Sequence, residues 1–216
     1  FRADLGISLD GDADRVVMVD EKGDIINGDK ILAVCALDLK EQGKLRNNTV
    51  VATLMSNFGL EKKMEEHGIQ VVKTGVGDKY VVEEMRLKNY VLGGEQSGHI
   101  VFLEHSTTGD GCIAALNMLA VMKRKNKKMS ELARIFEDVP QVLVNLRVKR
   151  QADLESLPGY NDLLSEVSER LGGRGRVFVR FSGTEPVIRI LVEGPDSKEI
   201  TNYSEKIAEF LQKELM

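Results

Sequence analysis

Val50-Val51-Ala52-Thr53-Leu54 is followed by Ser56, a run to His67, Gly68, and then Ile69-Gln70-Val71-Val72. The first five residues, β-branched or small and apolar, read as a strand. Ser56 is placed to cap a helix that Gly68 can end. The next β-branched run restores a strand, so the stretch predicts a strand–helix–strand unit.

The pattern extends in both directions. Downstream, Asp78 is expected to cap a helix through Arg86, and Tyr90-Val91-Leu92 and Ile100-Val101-Phe102-Leu103 read as strands around a glycine-rich bend. Asp110 to Lys123 reads as a strongly apolar helix, Lys123 to Lys128 as a solvated basic loop, and Ser130 as the cap of a short helix to Glu137. Upstream, Leu5-Gly6-Ile7-Ser8-Leu9 and Arg15-Val16-Val17-Met18-Val19 read as strands, with a turn at Glu21-Lys22-Gly23-Asp24 leading to Ile25-Ile26. Ile31, Leu32, Cys35 and Leu39 have helical spacing, and Gly43 is a plausible cap. Strands interleaved with helices predict a layered α/β domain with a mixed sheet over residues 1–139.

After Pro140 the pattern changes. Val142 to Val148, Arg176 to Phe181 and Val187 to Val192 read as strands, with helices over Tyr160 to Leu171 and Ser197 to Leu215. Ile200, Tyr203, Ile207, Phe210 and Leu211 line one face of the last helix. This predicts a small α+β domain over residues 140–216, with an antiparallel sheet and two helices.

The 216 residues are 42% hydrophobic and 30% charged, the balance of a globular chain rather than a disordered one. A formal net charge of -4 argues against nucleic acid as a partner. No apolar run approaches the roughly 20 residues of a membrane span, and the first residues do not read as a signal peptide. Cys35 and Cys112 sit in apolar helical stretches and are expected to be unpaired thiols in a reducing cytoplasm. The chain opens on Phe1 rather than Met, so it is expected to continue a longer one.

Three loops carry candidate chemistry. In Asp10-Gly11-Asp12-Ala13-Asp14-Arg15, three carboxylates alternate between two apolar strands. In an extended loop alternate side chains point the same way, so Asp10, Asp12 and Asp14 can converge on one hard cation. Mg²⁺ suits such oxygens and keeps room for water or phosphate. A solvated acidic turn is the plainer alternative, although like charges this close need a partner. A calcium-binding EF-hand fails on context: Arg15 stands where the tight turn wants glycine, and a β-rich run follows. Arg15 is instead placed to meet a phosphate near the metal.

Gly93-Gly94-Glu95-Gln96-Ser97-Gly98-His99 lies between two strands, and Glu95 and Ser97 alternate, so a carboxylate and a hydroxyl could face vicinal sugar hydroxyls together. A polar β-turn has the same composition, and a lone His99 is compatible with either a structural or a catalytic role. Arg180-Phe181-Ser182-Gly183-Thr184-Glu185-Pro186 and the following Arg189 have the parts of a phosphate site: two hydroxyls, turn N–H groups and two guanidinium forks. A hairpin turn with exposed arginines is the alternative, and Arg174 and Arg176 read as surface charges.

The ordered triplet resembles the α-D-phosphohexomutase superfamily, whose chains carry a metal loop, a sugar loop and a phosphate loop in this order. The resemblance covers essentially the whole chain and implies the third and fourth domains of that fold. Gly94-Glu95-Gln96-Ser97-Gly98-His99, Thr74-Gly75-Val76-Gly77-Asp78 and Thr107-Thr108-Gly109-Asp110-Gly111 resemble its phosphoglucosamine mutase branch. Lys79 departs from the arginine expected there, which keeps the charge but loses the fork. The resemblance implies Mg²⁺ at Asp10, Asp12 and Asp14, with Arg15 beside it. It also implies a phosphosugar on Glu95 and Ser97, a phosphate on Arg180, Ser182, Gly183, Thr184 and Arg189, and secondary roles for Lys79 and His99. No segment matches the family's serine loop, roughly Ser-Ala-Ser-His-Asn-Pro, so the resemblance implies amino-terminal domains of the same enzyme as partner and no turnover by this chain alone. Alternatives are a phosphoglucomutase or phosphomannomutase fragment, or a non-catalytic phosphosugar-binding module.

Overall fold

The computed structural model describes residues 3–148, 152–182 and 185–215. The chain divides into two compact units, Phe1–Asp138 and Val139–Met216.

The first unit opens with an antiparallel meander of β1 (Leu5–Leu9), β2 (Val16–Asp20) and β3 (Ile25–Ile26). Leu9 pairs with Val16, so the aspartate loop closes the first hairpin. Val16 and Met18 are fully buried while Val17 between them faces out, the period of two expected of a sheet with one solvated face.

Helix α1 (Gly28–Glu41) leads into a four-stranded mixed sheet. Its order is β5 (Gln70–Thr74), β4 (Thr49–Thr53), β6 (Leu92–Gly94), β7 (Ile100–Phe102). β4 is parallel to both β5 and β6, and β7 is antiparallel to β6. Helix α2 (Phe58–Glu66) joins β4 to β5, and α3 (Asp78–Lys88) carries the chain back to the other side of β4. Every residue of β4 is buried, because both faces are covered. Val50 and Ala52 pack with α1, α2 and α4 (Gly111–Lys125) through Leu32, Leu60, Met64 and Met118. Val51 packs on the opposite face with Val81 and Met85 of α3. The reversal of winding at β4 leaves a crevice at the carboxyl ends of the strands, where ligands bind in open α/β sheets. A short helix α5 (Met129–Leu132) ends in a 3₁₀ turn at Ala133–Ile135.

The second unit is a three-stranded antiparallel sheet in the order β8 (Gln141–Arg147), β10 (Val187–Glu193), β9 (Arg176–Phe181). Helices α6 (Tyr160–Leu171) and α7 (Ser197–Leu215) pack on it. Ile188, Ile190 and Val192 meet Leu163, Val167, Ile200, Ile207 and Leu211 in its core. Glycines with positive φ frame α6, Gly159 before it and Gly172 after it.

Several local expectations shift. Helix α2 is capped by Asn57, whose side chain accepts from the Gly59 N–H, not by Ser56, because the turn closed by the Ser56 N–H on the Thr53 carbonyl delays the helix start. Asp78 is the first residue of α3 rather than its cap. Ser130 lies inside α5, and its hydroxyl and N–H both reach the Glu21 carboxylate. Arg176 is not a surface charge: it pairs with the fully buried Glu193 beside it in the sheet.

Cys35 on α1 lies 3.6 Å from the sulfur of Met118 on α4, and burial pushes its thiol up to about 12. Cys112 is exposed. Because the thiolate is the reactive form, a thiol reagent at about pH 8 should modify Cys112 in the native chain and reach Cys35 only after denaturant is added. Two fast thiols without denaturant would contradict the α1–α4 packing.

Candidate functional site

The aspartate loop converges by turning rather than by lying extended. The Ala13 N–H donates to the Asp10 carbonyl at 3.2 Å, and Ala13 takes the left-handed conformation at φ 60°. As a result Asp10, Asp12 and Asp14 each offer a carboxylate oxygen, and the three lie within 4.8 Å of one another. Arg15 stays among them, its guanidinium 3.8 Å from Asp10 and 3.9 Å from Asp14, while its N–H donates to Asp10 Oδ1 at 3.2 Å. Asp14 Oδ1 is buried without a hydrogen-bond partner among the described residues; its contact with Arg15 is an ion-pair distance only. Three converging carboxylates, one of which carries an unsatisfied oxygen, fit a small divalent cation.

The loop is tied to the layered domain on three sides. The Val16 N–H donates to the Gly98 carbonyl at 3.1 Å, and the Gly111 N–H donates to the Ala13 carbonyl at 2.9 Å. His99 supplies the third tie: Nδ1 lies 3.1 Å from Asp14 Oδ2, and Nε2 accepts from the Gly109 N–H at 3.0 Å. Gly98 sits at φ +95°, and a Cβ there would fall 2.0 Å from the Val16 carbonyl oxygen, so only glycine lets the two loops close on each other.

The 93–99 loop leaves the carboxyl end of β6, at the crevice beside β4. Glu95 and Ser97 face one side, the serine hydroxyl donating to Glu95 Oε2 at 3.1 Å. The other oxygen, Oε1, accepts from the Gly77 N–H at 2.9 Å, so the loops after β5 and β6 are joined at this carboxylate. Lys79 stands apart: it is largely exposed and lies 3.8 Å from Glu83 one turn along α3.

In the second unit Arg180 on β9 and Arg189 on β10 are directly opposed across the sheet. Burial lowers the Arg180 pKa, and the neighbouring Arg189 charge lowers it further. The Nε atoms of both are buried without hydrogen-bond partners among the described residues. Arg189 reaches Glu185 at 3.4 Å, and Ser182 is buried with its N–H donating to the Val187 carbonyl at 2.8 Å. Opposed like charges with unsatisfied donors invite an anion. Gly183 and Thr184 lie outside the described residues.

Two family models match the chain: the phosphoglucomutase/phosphomannomutase α/β/α domain III over residues 27–139, and the C-terminal domain over residues 143–210. The chain belongs to the phosphoglucomutase/phosphomannomutase family. Among the relatives, the phosphoglucosamine mutase of Bdellovibrio bacteriovorus is 69% identical over 215 residues, which are 100% of this chain and 47% of that protein. A Geobacter phosphoglucosamine mutase is 53% identical, over 99% of this chain and 47% of its own length. The chain therefore spans about half the length of these relatives. In fold it resembles Aspergillus fumigatus N-acetylphosphoglucosamine mutase, solved with GlcNAc-6P and magnesium, at TM-score 0.80 and 23% identity over 97% of this chain and 49% of that one. A Burkholderia thailandensis member of the family gives 0.75 at 18% identity, over 99% of this chain and 47% of that one.

Residues 3–26, which hold the aspartate loop, precede the stretch matched to the family's third domain. Two backbone groups of this family member escaped the sequence reading: the N–H of Gly77, which holds Glu95, and the N–H of Gly109, which holds His99. Their segments stand out in sequence only as glycine-rich runs. Asn145, opposite Arg189 on β8, also needs the strand register to be found.

Replacing Arg180 by Met should stabilise the chain in anion-free buffer, since directly opposed like charges cost about 0.2–1 kcal/mol. Inorganic phosphate should raise the melting temperature of the parent chain but not of this variant. An equal rise in both would remove the arginine pair from the anion site.

Proposed function

We propose that the chain supplies the metal, sugar and phosphate loops of a phosphoglucosamine mutase, which interconverts glucosamine 6-phosphate and glucosamine 1-phosphate. The observation that carries this reading is the joining of a three-carboxylate loop to a glutamate–serine loop by backbone and histidine hydrogen bonds. The names of the relatives at 69% and 53% identity support the amino sugar as substrate.

Asp10, Asp12 and Asp14 hold Mg²⁺ in this reading, and a bound Mg²⁺ supplies charge neutralisation at a transferring phosphoryl group. Arg15, already among the carboxylates, adds a fixed positive charge where negative charge builds. Glu95 and Ser97 take ring hydroxyls near the middle of the sugar. A mutase must bind its sugar in two directions, and mid-ring hydroxyls are within reach in both. Arg180, Ser182, Gly183, Thr184 and Arg189 take the phosphate that is not reacting, and Lys79, exposed on α3, has a secondary role in substrate contact. The phosphoserine that donates and recovers the phosphoryl group comes from amino-terminal domains of the same enzyme, which the doubled length of the relatives supports. Two unpaired thiols fit a reducing cytoplasm. No described helix is long and apolar enough to cross a membrane.

Asp12→Asn should weaken Mg²⁺ binding at least about tenfold by calorimetry, since it removes one anionic oxygen from the set. Unchanged affinity with the fold intact would take the aspartate loop out of the reading.

A further inference from the structure

We infer that Asn145 completes the anion site of the second unit, its side-chain amide donating to the same phosphate as Arg180 and Arg189. This rests on the reading of that arginine pair as a phosphate site.

The argument begins with strand register. Asn145 on β8 and Arg180 on β9 are each directly opposite Arg189 on the central strand β10. Side chains alternate along a strand, and the residues next to these three, Val144, Ile190 and Val179, pack in the core beneath the helices. Asn145, Arg189 and Arg180 therefore stand abreast on the face turned away from α6 and α7. Directly opposed residues have Cβ atoms about 4.5–5.5 Å apart. Arg189 is in the middle of the row, so an anion held at its guanidinium has Arg180 on one side and Asn145 on the other.

Asparagine is depleted from strands, because its amide competes for backbone partners. Yet Asn145 lies exposed in the middle of β8, and its side chain makes no hydrogen bond among the described residues, not even to Arg189. Two residues along each strand, Leu143, Leu191 and Phe178 form an apolar row on the same face, with Leu191 buried at its centre. Hydrogen bonds to an anion are stronger beside such a surface than in open water.

Charge explains why the third group is an amide. A phosphate ester carries about two negative charges at pH 7, which the two guanidinium groups balance. A third cation beside Arg189 would be repelled, and a carboxylate there would take Arg189 from the anion. An amide adds donors and leaves the balance as it is.

The test is a titration of the ¹⁵N-labelled chain with inorganic phosphate at constant ionic strength, followed by NMR. The Asn145 side-chain amide signals should shift and saturate together with the backbone signals of Arg180 and Arg189. Side-chain signals that stay still while those of Arg180 move would overturn the proposal. Asn145→Ala should weaken phosphate binding about tenfold, the loss expected of one hydrogen bond to a charged group. Asn145→Asp should weaken it further, since its carboxylate pairs with Arg189. Unchanged affinity in either variant would contradict the amide as a ligand. Arg180→Met separates the layers. If it leaves phosphate affinity unchanged, the reading of the arginine pair fails and the proposal with it. If it weakens binding while Asn145→Ala does not, only the role of Asn145 fails.

Discussion

Three carboxylates with oxygens within 4.8 Å repel one another, by between about 1 and 3 kcal/mol per pair from the dielectric of water to that of a protein surface. A free loop would relax that strain by opening. Here it is held from three sides, by the Gly98 carbonyl, the Gly111 N–H and the His99 ring. Each tie comes from a segment far along the chain, so the aspartate loop has its shape only once the layered unit has folded. Electrostatic cost is met by rigidity, and the shape that results is one that fits a divalent cation.

The sheet explains why those segments meet. β4 has parallel neighbours on both sides, with α2 and α3 on opposite faces, so the loops leaving β5 and β6 open into one crevice. Glu95 bridges them through Gly77. From β6 the chain turns back into the antiparallel β7, with His99 at the turn on Asp14, and the segment after β7 brings Gly111 against the hairpin of β1 and β2. In the second unit, strand register has the same role, setting Arg180 against Arg189 without any local cause in either strand.

Much of this was legible in sequence where the signal is local. Amphipathic period gives α6 and α7 to their last residues, and α6 is also bounded by Gly159 and Gly172. The three loops declare themselves by composition. What sequence hides is non-local: the pairing of Arg176 with Glu193 depends on register, so a residue that reads as a surface charge proves to be half of a buried pair. Ser56 and Asn57 are both good caps, and a turn after β4 chose between them. The aspartates were expected to converge through an extended loop; they do so through a turn with Ala13 at positive φ, a conformation alanine does not advertise.

The proposed reading gives each unit its own share of a phosphorylated amino sugar, ring hydroxyls to Glu95 in the first and a phosphate to Arg180 in the second. Amide NMR during titration with glucosamine 6-phosphate, with glucose 6-phosphate and inorganic phosphate as comparators, tests it directly. Shifts are expected around both Glu95 and Arg180, strongest with the amino sugar. Shifts at Arg180 alone, equal for every phosphate, would contradict it and leave only an anion-binding sheet.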